Sequence, residues 1–388
     1  MNTILSPAAL DPRLDPPPSF AVRAVARLAS WLLPLRGGVP EASALRRILV
    51  VRSDDRVGNA LLTIPLVRAL SLALPNAQID LLLPSSRAQV ASGLGGFGLL
   101  EFDKRDAFRR PLRLIRFLLA LRARDYEVAI DAAHWHAFSL TSALLARVAS
   151  HRCVVGSARG ATCLYSTAVA LPLPGTPEVA AKVALARGVG LADLPLPPLE
   201  TALARTTDDA NAARAARARL GVEGRFAAFN PGARKPDHRW APGKFARLAK
   251  RLRDEHQLPS IVFWGPGEET LAREVCALSD AAALLAPATD LNSLAAHLRA
   301  CSLAVTNDTG PMHLAVACGA PVLAIFLSED GARWGHAGPM FCAVDARSLM
   351  SVDGNDASDL EAATDAASRL LALTTPHPRR QLAPPILK

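Results

Sequence analysis

The sequence predicts an α/β protein of two domains, each a parallel sheet covered by helices on both faces. Three observations predict it. The chain has 388 residues, beyond the usual reach of one hydrophobic core. Half of those residues are apolar, enough to fill two cores. Short β-branched runs alternate with longer apolar-striped segments, the pattern of strands joined through crossover helices.

In chain order, residues 1–18 are rich in Pro and Asp and read as a disordered tail. Residues 20–35 alternate apolar positions with Arg23 and Arg27 and include Trp31, so they form either a helix packed on the first domain or one lying on a membrane surface. The first strand–loop–helix unit is a strand at 48–51, a polar loop, and a helix at 59–74 closed by Pro75. Strands at 79–83 and 128–130 and helices at 112–122 and 138–149 continue the alternation. Prolines cluster and periodicity fades over 171–198, an Ala/Arg helix resumes at 202–220, and the domain junction is expected between about 195 and 222. The second domain has expected strands at 226–229, 261–263, 303–306 and 322–326. Its helices fall at 244–256, 270–278, 291–300 and 312–318, with Phe245, Leu248 and Leu252 as the clearest apolar stripe. The expected organisation is 1–45 as leading tail and amphipathic helix, 46–205 and 206–375 as the two domains, and 376–388 as a Pro-rich frayed tail.

A net charge of +9, spread along the chain, suits anionic partners in general. Nucleic acid is disfavoured, because two Tyr and five Trp with no basic stripe supply little stacking surface. The six cysteines, at 153, 163, 276, 301, 318 and 342, make no CxxC pair, so buried free thiols in a reducing compartment are expected. No run of eighteen apolar residues and no secretory start is present, which points to the cytoplasmic side. There is no GxxxxGK[ST] loop and no GxGxxG after a strand, so neither an ATPase nor a dinucleotide oxidoreductase is supported. Residues 353–356 open like a calcium loop but have Ser358 where the required Gly would sit, and read as a surface turn.

In an open parallel sheet, ligands bind beyond the carboxyl ends of the strands, which makes the loops there informative. In the run Thr306-Asn307-Asp308-Thr309-Gly310-Pro311-Met312-His313 a strand ends, Thr309 is placed to cap, Gly310 admits a ligand to the backbone, and Pro311 suits a first helical turn. N–H groups at such a helix start favour an anion such as a diphosphate, within reach of His313. A second loop, Asn230-Pro231-Gly232-Ala233, leads into Arg234, Lys235, His238, Arg239 and Trp240, cations suited to a departing nucleotide. A third runs from Trp264 to Glu269, where Glu268 follows a glycine turn and suits ribose hydroxyls.

Together these loops resemble glycosyltransferase family nine, the heptosyltransferases of lipopolysaccharide core synthesis, over residues 47–334. The resemblance is carried by ILVVRSDDRVGNALLTIP at 48–65, FNPGARKPDHRW at 229–240, FWGPGEE at 263–269, and NDTGPMHLA followed by GAPVLAIF within 291–326. It implies the GT-B fold, two Rossmann-like domains facing a cleft, with the acceptor on the N-terminal domain, the nucleotide sugar on the C-terminal one, and no metal or other cofactor. It implies an inverting transfer of a heptose or related sugar from a nucleotide-sugar donor, ADP-heptose by resemblance, to a lipopolysaccharide core or similar glycolipid. The donor-site residues it implies are Asp308, Thr309, Gly310 and His313, with Glu268, Gly232, His238 and Arg239.

The chain departs from the family at two positions. Asn59 follows Gly58 where the family carries the Asp expected to act as general base, and an amide takes no proton at neutral pH. His238 stands where the family usually has Lys. Candidates to replace the base are Asp54, Asp55, His134 and His136, with Asp55 preferred because it keeps an acid three residues before the glycine and in a tight turn lies close to Asn59. The two histidines alone are too few ligands for a metal. The alternative reading is a non-catalytic binding homologue that lost its base.

Overall fold

The computed structural model describes residues 18–38, 41–349 and 358–374, and these form two compact units. Unit 1 is the chain to Leu203 together with Ala332–Trp334, and unit 2 is the remainder from Ala204. The expected turn at 353–356 and the tails at 1–17 and 376–388 lie outside the described residues.

Unit 1 begins with α1 (Phe20–Leu32) and β1 (Arg47–Val51), then α2 (Val57–Leu61), α3 (Ile64–Ala73), β2 (Gln78–Pro84), β3 (Gly98–Phe102), α4 (Asp106–Arg109) and α5 (Pro111–Ala123). It continues with β4 (Val128–Asp131), α6 (Leu140–Ala149), β5 (Cys153–Ser157), β6 (Thr167–Val169) and α7 (Glu178–Val183). The six strands are all parallel in the order β3-β2-β1-β4-β5-β6. The single helix expected over 59–74 is two, broken at Leu62–Thr63. Pro65 explains the break: without an N–H it cannot bond the Leu61 carbonyl, and its ring crowds that turn. Thr63 closes the gap by donating its hydroxyl to the Asn59 carbonyl at 2.9 Å. β3, β5 and β6 were not expected from periodicity; β3 and β6 are partly exposed, three- to five-residue strands at the two sheet edges.

α1 packs on unit 1, but through its small residues. Ala26 and Ala29 meet Ala143, Ala161 and Leu164, while Phe20, Leu28, Trp31 and Leu32 face out. The buried Arg147 of α6 holds the end of α1 in place by donating to the Leu33, Ser30 and Leu164 carbonyls at 2.7, 3.2 and 3.1 Å. These include orphan carbonyls of the last helical turn, which would otherwise lack donors.

Unit 2 comprises α8 (Thr207–Arg219), β7 (Ala227–Asn230), α9 (Pro242–His256), β8 (Ser260–Val262), α10 (Glu269–Leu278), β9 (Ala283–Leu285), α11 (Leu291–Ala300) and β10 (Leu303–Asn307). After these come α12 (Gly310–Ala317), β11 (Val322–Phe326), α13 (Gly331–Trp334), of which only Gly331 belongs to this unit, β12 (Phe341–Asp345), α14 (Ala346–Leu349) and α15 (Ser358–Thr374). Its sheet, again parallel, has the order β12-β11-β10-β7-β8-β9. Numbered from each unit's own first strand, both sheets read 3-2-1-4-5-6, the Rossmann order, which reverses between strands 1 and 4 and leaves a crevice there. The Ala/Arg helix starts at Thr207 rather than 202, because Thr206 and Asp209 form a reciprocal capping box. The α9 stripe is buried as expected, with Phe245 against the rings of Phe229 and Trp240 at 5.8 and 5.1 Å.

The six cysteines are free thiols, but Cys163 is exposed, contrary to the expectation that all are buried. Among the described residues no helix is long and apolar enough to cross a membrane. Truncating Phe245 to Ala should cost about 3–5 kcal/mol through the cavity it leaves, whereas Leu112→Ala on the exposed face of α5 should stay within about 0.5 kcal/mol. Urea unfolding of the two variants checks the contrast.

Candidate functional site

In unit 2 the order reversal falls between β7 and β10, and the three loops singled out in the sequence leave β7, β8 and β10 on the same, carboxyl, side of the sheet. Asn307, the last residue of β10 and fully buried, fastens two of them. Its Oδ1 accepts the Trp240 N–H at 3.0 Å and its Nδ2 donates to the Pro231 carbonyl at 2.7 Å. Trp240 is held in turn by Asp359 of α15, which accepts its indole N–H at 2.8 Å and pairs with buried Lys244 at 2.7 Å. Gly232 and Glu268 are adjacent: a Cβ at Gly232 would collide with the Glu268 carboxylate and displace it from its present place. That carboxylate accepts the Gly265 N–H at 3.1 Å, which fixes its own turn.

The turn at 307–313 keeps its predicted place, but Thr309 does not cap. It occupies the N-cap position with an extended backbone, yet its hydroxyl turns back to the Asn307 carbonyl at 3.3 Å and takes no N–H from α12. The Asn307 carbonyl also receives the Thr306 hydroxyl at 2.9 Å, so it draws both threonines toward the strand end. The first turn of α12 is thereby left without a side-chain cap. An uncapped helix start favours an anion. Asp308 is half-buried beside it. His313 is buried, with Nδ1 2.8 Å from Nε2 of His336, and burial pushes the His336 pKa down to about 4. His336 had no sequence signal, since it lies beyond any motif. Arg239 donates from Nε to the Ala233 carbonyl at 2.7 Å, which ties its guanidinium to its own loop. His238 sits 4.0 Å from the Glu329 carboxylate on the loop after β11.

In unit 1 the reversal falls between β1 and β4, and the loop at 52–59 and the segment at 131–136 leave those strands. Asp55 does not lie against Asn59. Its half-exposed carboxylate accepts the Ser86 hydroxyl at 2.5 Å and pairs with Arg87 at 2.8 Å. The acid beside Asn59 is Asp54, whose Oδ2 accepts the Asn59 amide at 2.5 Å. Buried Arg52 grips the same carboxylate with Nε at 3.2 Å and with its NH2, while its NH1 donates to the Ala132 carbonyl at 2.7 Å. The closeness expected for Asp55 fails because Arg52 at the end of β1 draws in the acid two residues on and turns the next one outward. Burial works to raise the Asp54 pKa, but Arg52, His134 and the Asn59 amide outweigh it and hold the carboxyl below its usual range.

Beside this pair lies a buried polar cluster that the sequence gave no reason to assemble. His134 Nδ1 is 2.6 Å from Glu178 of α7, and Lys182, one turn on, is 3.4 Å from the same Glu178 oxygen and donates to the Ala132 carbonyl at 2.9 Å. Burial, reinforced by Arg52, lowers Lys182 to about 8 and His134 well below its ordinary value. Although burial opposes it, the neighbouring His134 and Lys182 hold Glu178 far below the carboxylate range. Asp131 is pushed up to about 6 by burial, against the Tyr165 hydroxyl and the Ala133 N–H that it accepts at 2.7 and 2.9 Å. His134, His136 and Glu178 bring ligand atoms within 4.8 Å of one another, a third group the sequence did not supply. Their chemistry fits a metal poorly, because Glu178 already serves Lys182 and His134.

The family model of glycosyltransferase family 9 (heptosyltransferase) matches residues 114–352. Lipopolysaccharide heptosyltransferase 3 of Escherichia coli strain K12 is 25% identical over 291 residues, which cover 71% of this chain and 81% of that protein. Among solved structures, a family 9 glycosyl transferase from Veillonella parvula DSM 2008 superposes with a TM-score of 0.73 at 19% identity, over 87% of this chain and 100% of that one. The ADP-heptose lps heptosyltransferase II of E. coli does so with 0.64 at 22% identity, over 84% and 99%. E. coli heptosyltransferase WaaC with ADP gives 0.61 at 20% identity, again over 84% and 99%. These likenesses identify the two parallel α/β sheets as the GT-B fold. With a family model matched over more than half its length, the chain belongs to glycosyltransferase family 9, the heptosyltransferases, and is a glycosyltransferase.

Proposed function

We propose that this glycosyltransferase moves a heptose or related sugar, with inversion, from a nucleotide-linked donor to a hydroxyl of a lipopolysaccharide core or similar glycolipid. The observation that carries the reading is the convergence of three loops on the order reversal of unit 2, with an uncapped helix start between them. ADP-heptose is the first donor to test, since the E. coli relative is a lipopolysaccharide heptosyltransferase. In this reading unit 2 holds the donor and unit 1 the acceptor. Gly310 and Thr309 present the α12 amides to the diphosphate, with Asp308, His313, His238 and Arg239 around it, and Glu268 beside Gly232 takes the ribose hydroxyls. The acceptor oxygen attacks the anomeric carbon, its proton passes to a carboxylate, and the bond to the diphosphate breaks with its electrons on the leaving group. Donor charge is neutralised by side chains and helix amides, with no metal. An acceptor held in a lipid layer suits contact between residues 20–35 and a membrane surface.

Asp54 replaces Asp55 as the proposed base, because it is the acid bonded to Asn59 at the order reversal of unit 1. Its lowered pKa leaves it ionised at neutral pH, able to accept a proton though a weak base. Asn59 orients it. A second reading, donor binding without transfer, is favoured by one observation, the amide at 59 where the family carries Asp.

Calorimetry with ADP-heptose, paired with a transfer assay on a core acceptor, is expected to show binding and turnover. Binding without turnover across a broad donor and acceptor panel would establish the second reading instead. Given turnover, Asp54→Asn should lower kcat by about 10²–10⁴ with donor affinity unchanged, and Asp55→Asn should leave kcat within a few-fold. The reverse ranking would return the role to Asp55.

His336 also gives a pH dependence. Its folded pKa is depressed, so between about 6.5 and 4 the unfolded chain binds the proton that the folded one refuses, and stability falls as pH drops through that window. His336→Gln should flatten the decline, read as melting temperatures of both proteins from pH 7 to 4.

A further inference from the structure

Unit 1 exposes large apolar side chains on α4 and α5, neither of which carries the proposed chemistry. On α4 and α5, Phe108, Leu112, Ile115 and Leu119 are 93%, 69%, 51% and 65% exposed. Residues 112, 115 and 119 recur at helical spacing and form one ridge. The opposite side of α5 meets the core through Leu114, Phe117, Leu118 and Leu121. The helix thus has two apolar faces, and the core uses one. Between 103 and 116 six cations stand against two carboxylates, and Arg109, Arg110, Arg113 and Arg116 are exposed beside the ridge. Asp103 and Asp106 pair with Arg105 and Arg113, which leaves the excess positive charge among the remaining cations.

α1 repeats the arrangement. Its inward residue is Ala26, and Phe20, Leu28, Trp31 and Leu32 project opposite it, with Arg23 and Arg27 between and no acid from 18 to 38. A helix that served only to cover the domain would turn Trp31 and Leu28 inward and leave alanines outside. Both helices pack on α6, α5 along one side and α1 along the other, and Arg147 of α6 fixes the end of α1. Large apolar side chains beside arginines, on helices too short and charged to span a bilayer, match the interface of an anionic lipid layer.

We propose that unit 1 docks on an anionic lipid surface through the α4–α5 ridge, with α1 as a second foothold on the other side of α6. The apolar ridge enters the headgroup–acyl boundary while Arg109, Arg110 and Arg116 meet lipid phosphates. Docking of this kind is independent of donor and acceptor chemistry, so it stands or falls separately from the proposed transfer.

The test is co-sedimentation of the full chain with vesicles of phosphatidylcholine alone and of phosphatidylcholine mixed with phosphatidylglycerol. Strong partitioning is expected only onto the mixture, weakening with salt. A combined Leu112→Ser, Ile115→Ser, Leu119→Ser variant should lose about tenfold or more in partitioning, and so should Arg109→Gln, Arg110→Gln, Arg116→Gln, with melting curves and ADP-heptose binding unchanged. Should the serine variant misfold, the glutamine variant, which leaves the apolar ridge intact, gives the reading. Wild-type partitioning by a folded serine variant, or by the glutamine variant, overturns the proposal. So does equal binding to uncharged vesicles, or a dimer in solution that the serine substitutions dissociate, which would assign the ridge to a second copy of the chain.

Discussion

The buried amide of Asn307 is the constraint on which the unit 2 site depends. A single side chain at the end of β10 accepts from Trp240 and donates to Pro231, so the loop after β7 is anchored at both its ends to the strand across the order reversal. Both groups of the amide are paired with backbone, and in a site without water access each lost bond would leave a buried donor or acceptor unsatisfied. The positions of Gly232, His238 and Arg239 follow from that anchoring, because all three lie between the residues Asn307 holds. Further support runs outward through Trp240 and Lys244 to Asp359 on α15, so the last described helix braces the loop.

The α/β class, four of the six second-domain strands and the strand-to-helix turn at 307–313 were legible because they rest on local signals. β-branched runs bounded by Gly and Pro, the α9 stripe, and a strand end followed by Gly310-Pro311 each carry their meaning within about ten residues. What was not legible depends on distant partners. Thr309 looks like a cap, but the Asn307 carbonyl competes for its hydroxyl, a choice set by how the turn folds. Asp55 and Asp54 are equivalent in sequence and are separated only by which one buried Arg52 draws in. Glu178, Lys182 and Tyr165 come from α7 and from the segment before β6 to meet residues of β1 and β4, and nothing periodic marks them. The split of the helix over 59–74 was readable in principle, since Pro65 stands inside the apolar run.

α1 shows a different limit. Its pattern was read as amphipathic, which fits a core-facing helix or an interfacial one equally well. Only packing tells them apart, and here the small side chains take the inner face. The distinction matters energetically. Alanines let α1 approach α6 closely but bury little area, so two hydrogen bonds from Arg147, to the Ser30 and Leu33 carbonyls, carry part of the attachment that a large apolar contact would otherwise supply.

The electrostatics of unit 1 bear on what Asn59 means. Around the order reversal stand the buried cations Arg52 and Lys182, with Arg333 3.4 Å from Glu178, and three acids, Asp54, Glu178 and Asp131. Glu178 is matched by Lys182 and His134, and Asp54 by Arg52, while Asp131 is held by neutral donors and has its pKa raised instead. An aspartate at 59 would set a second carboxylate against Asp54, and two such charges at hydrogen-bond distance do not both stay ionised without further compensation. The amide removes that conflict and donates to Asp54 in place of repelling it. Asn59 therefore does more than delete a carboxylate: it stabilises the ionised form of the one next to it. Arg52, just beyond the end of β1, supplies the positive charge that this carboxylate at 54 faces.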